Sequence, residues 1–143
     1  MSPTFLHLPR PTSRTEEGPR FKGDATEMVV EYDYQEDDGK VTWSSVAFSD
    51  VLQFEFRPMP CCTADDVVAA TEVRVQTASE RLVKMQARWQ GAVGWQQWQQ
   101  KQGGAVRYSH FTVYFDDEGC VDVVAASCRP SAPAQDSETS QAR

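Results

Sequence analysis

The chain has no apolar run approaching the roughly 20 residues needed to cross a bilayer. It has no histidine beyond His7 and His110, and none of the compact motifs that mark familiar catalytic sites. Without a G-x-S-x-G elbow, a glycine-rich phosphate cradle or an H-E-x-x-H pair, no acyl-transfer, nucleotide or zinc-protease chemistry is legible. The N-terminus, Met1 to Pro11, lacks a charged segment followed by an apolar stretch long enough to serve as a secretion signal. A soluble, cytoplasmic protein with no cofactor and no membrane contact is the expectation. Cys61, Cys62, Cys120 and Cys128 form no C-x-x-C knuckle with one another or with the histidines, so neither a zinc site nor a disulfide framework is expected. Reduced thiols suit that compartment.

Basic residues are scarce where the strand-like patterns lie. Residues 24–57 hold nine acids against Lys40 and Arg57, and residues 108–128 hold four acids and no base. The net charge is −7. Such segments repel phosphate backbones, which argues against nucleic acid and in favour of a basic protein partner. Oligomeric state is not legible.

What is present predicts one domain. With 143 residues, 40% of them apolar and fifteen of them aromatic (seven Phe, four Tyr, four Trp), the chain can bury a core. Residues 1–23 carry four prolines and no period of either kind, and read as a flexible tail, with a short strand at Phe5, Leu6 and Leu8 docked on the domain as the alternative. Residues 129–143 have nothing to bury and read as a disordered tail. Between them, residues 24–128 run from strands through helices back to strands. The order predicts an α+β domain: one antiparallel sheet of about five to six strands with one or two helices packed on one face.

The clearest local structure is a hairpin over Tyr108–Ala126. A loop at Asp117-Glu118-Gly119 pairs Phe115 with Val121, Val113 with Val123 and Phe111 with Ala125 on a core face. His110, Thr112, Tyr114 and Asp122 then share the other face as an aromatic and polar surface strip. A second hairpin turns at Asp38-Gly39, pairing Tyr34 with Trp43 and Tyr32 with Ser45. Val51–Arg57 reads as a further strand ended by Pro58 and Pro60. Thr63 reads as the cap of a short helix over 67–70, 71–77 as a strand by its β-branched residues or else as a continuation of that helix, and Ser79 as the cap of a helix carrying Leu82, Met85 and Trp89 inward. Trp95 and Trp98 lie three apart in a glutamine-rich segment, either packing on the sheet or standing exposed as anchors.

The candidate binding residues are therefore Tyr32, Trp43, Tyr108, His110, Tyr114, Asp122, Trp95 and Trp98. None is assigned a catalytic role: His110 and Tyr114 are four residues apart on one strand, about 13 Å, too far to act on one bond. Asp116, Asp117 and Glu118 lack calcium-loop spacing and read as a solvated turn.

The segments His110–Ala126 and Val46–Arg57 resemble those of small bacterial proteins of unassigned function, and are similar to immunity proteins encoded beside secreted toxins. The resemblance spans roughly residues 28–126. It implies an acidic antagonist of a cognate protein, without catalysis, and carries over no functional residue. The expected function is a soluble acidic protein-binding module. The alternative is a small-ligand-binding domain or minor enzyme, using a cleft between the Tyr32/Trp43 face and the His110/Tyr114 face.

Overall fold

A computed structural model describes residues 2–24, 26–101, 103 and 106–132. Nine strands and two helices follow in the order β1 (Thr4–His7), β2 (Arg20–Gly23), β3 (Glu27–Gln35), β4 (Val41–Ser49), β5 (Gln53–Pro58), β6 (Glu72–Gln76), α1 (Glu80–Gln90), α2 (Trp95–Lys101), β7 (Ser109–Phe115), β8 (Gly119–Ala125) and β9 (Ser127–Ser131). The α+β class expected from the sequence holds, but the strands form two antiparallel sheets rather than one. One sheet runs β1-β6-β7-β8-β5 and the other β2-β3-β4-β9.

The sheets face each other across a core built from alternate residues of the middle strands. Val30, Tyr32, Val46 and Phe48 of β3 and β4 meet Phe111, Val113, Phe115, Val121 and Val123 of β7 and β8. Each such side chain removed from water contributes about 1.5–3 kcal/mol. The chain changes sheets at two neighbouring corners. Asp50, with φ 52, turns β4 into β5, and Ala126 between β8 and β9 donates its amide to the Ser49 carbonyl at 3.0 Å.

On the far side of the five-stranded sheet, Leu82 of α1 packs with Tyr108 and Val124, flanked by Met85, Trp95 and Leu52. The five-stranded sheet is thus covered on both faces at its centre, and every residue of β8 is buried. Among the described residues, no helix is long and apolar enough to cross a membrane.

Three expectations are corrected. The N-terminal segment is built into the fold: β1 pairs with β6, β2 pairs with β3, and Leu8 and Thr12 are buried. Ser127–Ser131 pairs with β4, so 129–131 belong to a strand, while 133–143, read as a disordered tail, lie outside the described residues. The β3–β4 register is shifted by one, placing Trp43 opposite Asp33 and Tyr32 opposite Ser44. Asp33 is fully buried under residues 16–18, where its carboxylate accepts the amides of Glu16 and Glu17 at 2.9 Å and of Gly18 at 3.2 Å. An acid that ties down three backbone donors behaves as an anchor, and the two-residue turn gives way to a longer loop closed by Glu36 N to Lys40 O at 2.7 Å.

The last hairpin keeps its predicted faces, with its pairing displaced by two residues: Val113 faces Val121 and Phe111 faces Val123. Between β5 and β6 the expected helix over 67–70 is replaced by two 3-10 turns, Met59–Cys61 and Ala64–Asp66. The strand at 72–76 and the Ser79 cap stand where the sequence places them, Ser79 Oγ accepting the Leu82 amide at 3.1 Å.

Candidate functional site

A polar network lies between the five-stranded sheet and the start of α1. Register makes Thr112 and Asp122 direct partners, and Thr112 Oγ1 donates to Asp122 Oδ1 at 2.9 Å. His110, one pleat along, places Nε2 at 2.6 Å from the same oxygen. Arg57 reaches Asp122 Oδ2 from β5, and its fork also holds Asp66 with bonds of 2.9 and 2.6 Å. Asp66 further accepts the Thr63 amide at 2.7 Å. On the opposite side, His110 Nδ1 lies 2.8 Å from Ser79 Oγ. Ser79 Oγ thus serves both the Leu82 amide and the imidazole, while Nε2 on the other side of the ring is bonded to Asp122.

Burial alone would raise the Asp122 carboxyl, but the hydrogen bonds from His110 and Arg57 outweigh it and hold the group well below the usual carboxylate range. Asp66 follows the same balance: burial opposes ionisation, while Arg57 and the Thr63 amide win. Arg57, bonded first to Asp66 and then to Asp122, is held firmly charged.

The order Ser79–His110–Asp122 has the residue types of a nucleophile, a base and an orienting acid. Its bonding makes it an anchor. Ser79 Oγ caps α1, and both oxygens of Asp122 are taken up, Oδ1 by His110 and Thr112 and Oδ2 by Arg57, so the three side chains tie α1 to the sheet. Ser79→Ala is expected to cost about 1–2 kcal/mol, because the cap and one imidazole partner go together. Urea unfolding measures it; a cost below a few tenths would show that the network does not hold α1.

This network floors an open cleft of about 570 Å³, lined by Arg57, Asp65, Asp66, Arg74, Gln76, Ser79, Glu80, Arg81, His110 and Asp122. Arg81 pairs with Glu55 at 2.7 Å. Arg74 donates to the Asp65 carbonyl at 2.8 Å and has no carboxylate partner among the described residues.

The sequence-predicted residues are dispersed through three layers. His110 and Asp122 meet, but beneath α1 rather than on a surface strip, and only 7% and 2% exposed. Tyr32 is in the sandwich core, its ring centroid 5.8 Å from that of Phe115 and its hydroxyl donating to the Arg10 carbonyl. Burial pushes its phenol up to about 12. Trp43 lies on the other face of its sheet under the Arg20 guanidinium, 3.7 Å from the ring centroid. The cleft expected between the Tyr32/Trp43 and His110/Tyr114 faces is therefore not formed.

Tyr108 is buried and accepts the Trp98 indole N–H at 2.8 Å, while Trp95 packs between Trp89 and Tyr108 at 6.1 Å from each. These tryptophans seat α2 on the sheet. Tyr114 is half-buried, its hydroxyl 3.5 Å from Met59 Sδ. Sequence reasoning missed Arg57, Asp66, Arg74 and Arg81 as site residues. It saw Ser79 only as a cap.

A second feature is electrostatic. Residues 10–18 bridge the tips of the β3–β4 and β7–β8 hairpins: Arg10 pairs with Glu36 at 2.7 Å, Arg14 with Asp37 at 3.0 Å, and Thr15 donates to Glu118 at 2.5 Å. Both tips therefore lie at one end of the molecule. The segments that form this end, 10–18, 36–40 and 116–118, carry eight carboxylates against Arg10, Arg14 and Lys40. Glu16, Glu17, Asp37, Asp38, Asp116 and Asp117 are exposed there.

No protein-family model matches this chain, and no curated protein or solved structure matches it significantly.

Proposed function

We propose that the protein is a binding module for a basic partner protein, which docks on the acidic end. The observation that carries the reading is the convergence of two acidic hairpin tips, far apart in sequence, under one bridging loop. Gathering like charge costs stability, and a docked cationic surface would offset that cost and steer encounter. In its specific form the partner is a cognate protein that this chain antagonises, as the similarity to toxin immunity proteins implies.

The test is retention of partners from the native host by the wild-type chain and by a variant carrying Asp37→Asn, Asp38→Asn, Asp116→Asn and Asp117→Asn. Asparagine also tolerates the left-handed backbone at Asp117, φ 65, so the fold is expected to be unchanged. One basic protein retained at low salt, and bound at least about tenfold more weakly by the variant and at 0.5 M salt, is the expected result. Equal retention by both chains would end the proposal.

A second reading rests on Arg74. A guanidinium lining an open polar cleft without a carboxylate partner suits a small ligand bearing a carboxylate or phosphate. Phosphate is expected to raise the melting temperature of wild type more than chloride of equal ionic strength does, and to lose that advantage in Arg74→Gln. Identical curves for the two salts would remove this reading.

A further inference from the structure

Two thiols meet beside the floor of the cleft. Cys120 is on β8, opposite Arg57 of β5, and is fully buried. Cys62 follows the 3-10 turn Met59–Cys61 and is half-buried. Their sulfurs are 3.5 Å apart, with Cys62 Sγ also 3.5 Å from the Arg57 carbonyl and 3.6 Å from that of Pro58. A disulfide needs sulfurs at about 2.05 Å. The remaining gap is within reach of Cys62, which lies in a connection between strands. Cys120, fully buried on a strand paired with β5 on one side and β7 on the other, is fixed.

We propose that Cys62 and Cys120 are an oxidative modification site that reacts with low-molecular-weight disulfides. The Cys62 thiolate, the more accessible of the two, attacks one sulfur of the reagent disulfide. The reagent S–S bond breaks, one reagent thiolate leaves and takes up a proton, and Cys62 carries a mixed disulfide. Cys120 then loses its proton and attacks Cys62 Sγ, forming the internal disulfide and expelling the second reagent thiol. Two protein thiols are oxidised and one reagent disulfide is reduced to two thiols. Burial, which pushes the Cys120 thiol up to about 12, makes the second step the slower one and accelerates it with rising pH.

The same pair, with Asp66, offers three metal-ligating atoms within 4.8 Å of one another. Arg57 occupies both oxygens of Asp66, so a cation there would face a guanidinium. The geometry favours the disulfide. Its closure would fasten the turn that carries Asp66 to β8, beneath the cleft.

The experiment treats the full chain with oxidised glutathione, alkylates the remaining thiols and maps the peptides by mass. The expected product has lost two hydrogens, joins the Cys62 and Cys120 peptides, and melts at least about 5 °C higher than the reduced chain. Cys120→Ala is expected to stop at a glutathione adduct on Cys62, and Cys62→Ser to leave Cys120 unmodified. Adducts confined to Cys61, or Cys62 and Cys120 both alkylated after full exposure, would overturn the proposal in wild type without recourse to a variant. Tight binding of one Zn²⁺ per chain that shields both thiols from alkylation would overturn it in favour of a metal site.

Discussion

Asp122→Ala is expected to lower the unfolding free energy by about 3–5 kcal/mol, the cost of breaking a buried ion pair by removing one partner. The carboxylate is 2% exposed and receives His110, Thr112 and Arg57. Truncation leaves the His110 Nε2–H and the Thr112 hydroxyl without their shared acceptor and the Arg57 guanidinium with Asp66 and the more distant Glu55. Asp122→Asn fills the same volume and keeps part of the bonding, so its cost is expected to be smaller, about 2 kcal/mol. The pH dependence has a definite sign. Because the folded state holds Asp122 well below the ordinary carboxylate range, its contribution is complete above about pH 4 and declines as acid protonates the group. Wild type is therefore expected to lose more stability than Asp122→Asn does between pH 4 and pH 2. Urea midpoints across that range decide it. An alanine variant within about 1 kcal/mol of wild type would mean that the network is not a structural tie.

How far the sequence reveals this fold depends on which forces act locally. The faces of the β7–β8 hairpin are legible because alternation assigns Phe111, Val113 and Phe115 to one side whatever the register. A displacement of two residues preserves that assignment, so the pattern cannot detect it. The one-residue error at Trp43 has a different origin. Alternation counts Asp33 as an outward acid, whereas three amides of the 16–18 loop pay for its burial. Those amides lie in a segment whose prolines and lack of period read as a tail. The second sheet went unseen for the same reason, since β2 and β9 are short edge strands without periodicity that gain order by pairing with β3 and β4.

The site was legible in its members on one strand pair and illegible in its assembly. His110 and Asp122 share a face by strand geometry alone. That the face is roofed by α1 follows from packing between elements, which no local pattern encodes. Arg57 and Asp66 are nine residues apart across two 3-10 turns, and nothing in either segment announces a fork-to-carboxylate pair. Ser79 was visible as a helix cap, but its second bond, to an imidazole 31 residues later, was not. The acidic end was legible as two separate charge clusters. Only the bridging residues 10–18 bring them together.

Gly119→Ala is expected to be among the costliest single-methyl additions available in this chain, at about 3 kcal/mol. Two effects act together. The residue has φ 149, a region that side-chain-bearing residues rarely adopt. A Cβ there would also lie 2.1 Å from the Arg57 carbonyl oxygen and 2.9 Å from the Pro58 Cα. Both obstacles are backbone, so relief requires β5 to move away from β8, and with it the Arg57 fork that joins Asp66 to Asp122. Gly39→Ala supplies the control. Gly39 also has a positive φ, 88, but nothing lies within 4 Å of an added Cβ, so only the backbone cost of about 1 kcal/mol applies. The difference between the two variants isolates the close approach of β5 to β8. Urea unfolding is expected to separate their midpoints clearly, and coincident midpoints would mean that β5 yields at no cost and does not hold Arg57 in place.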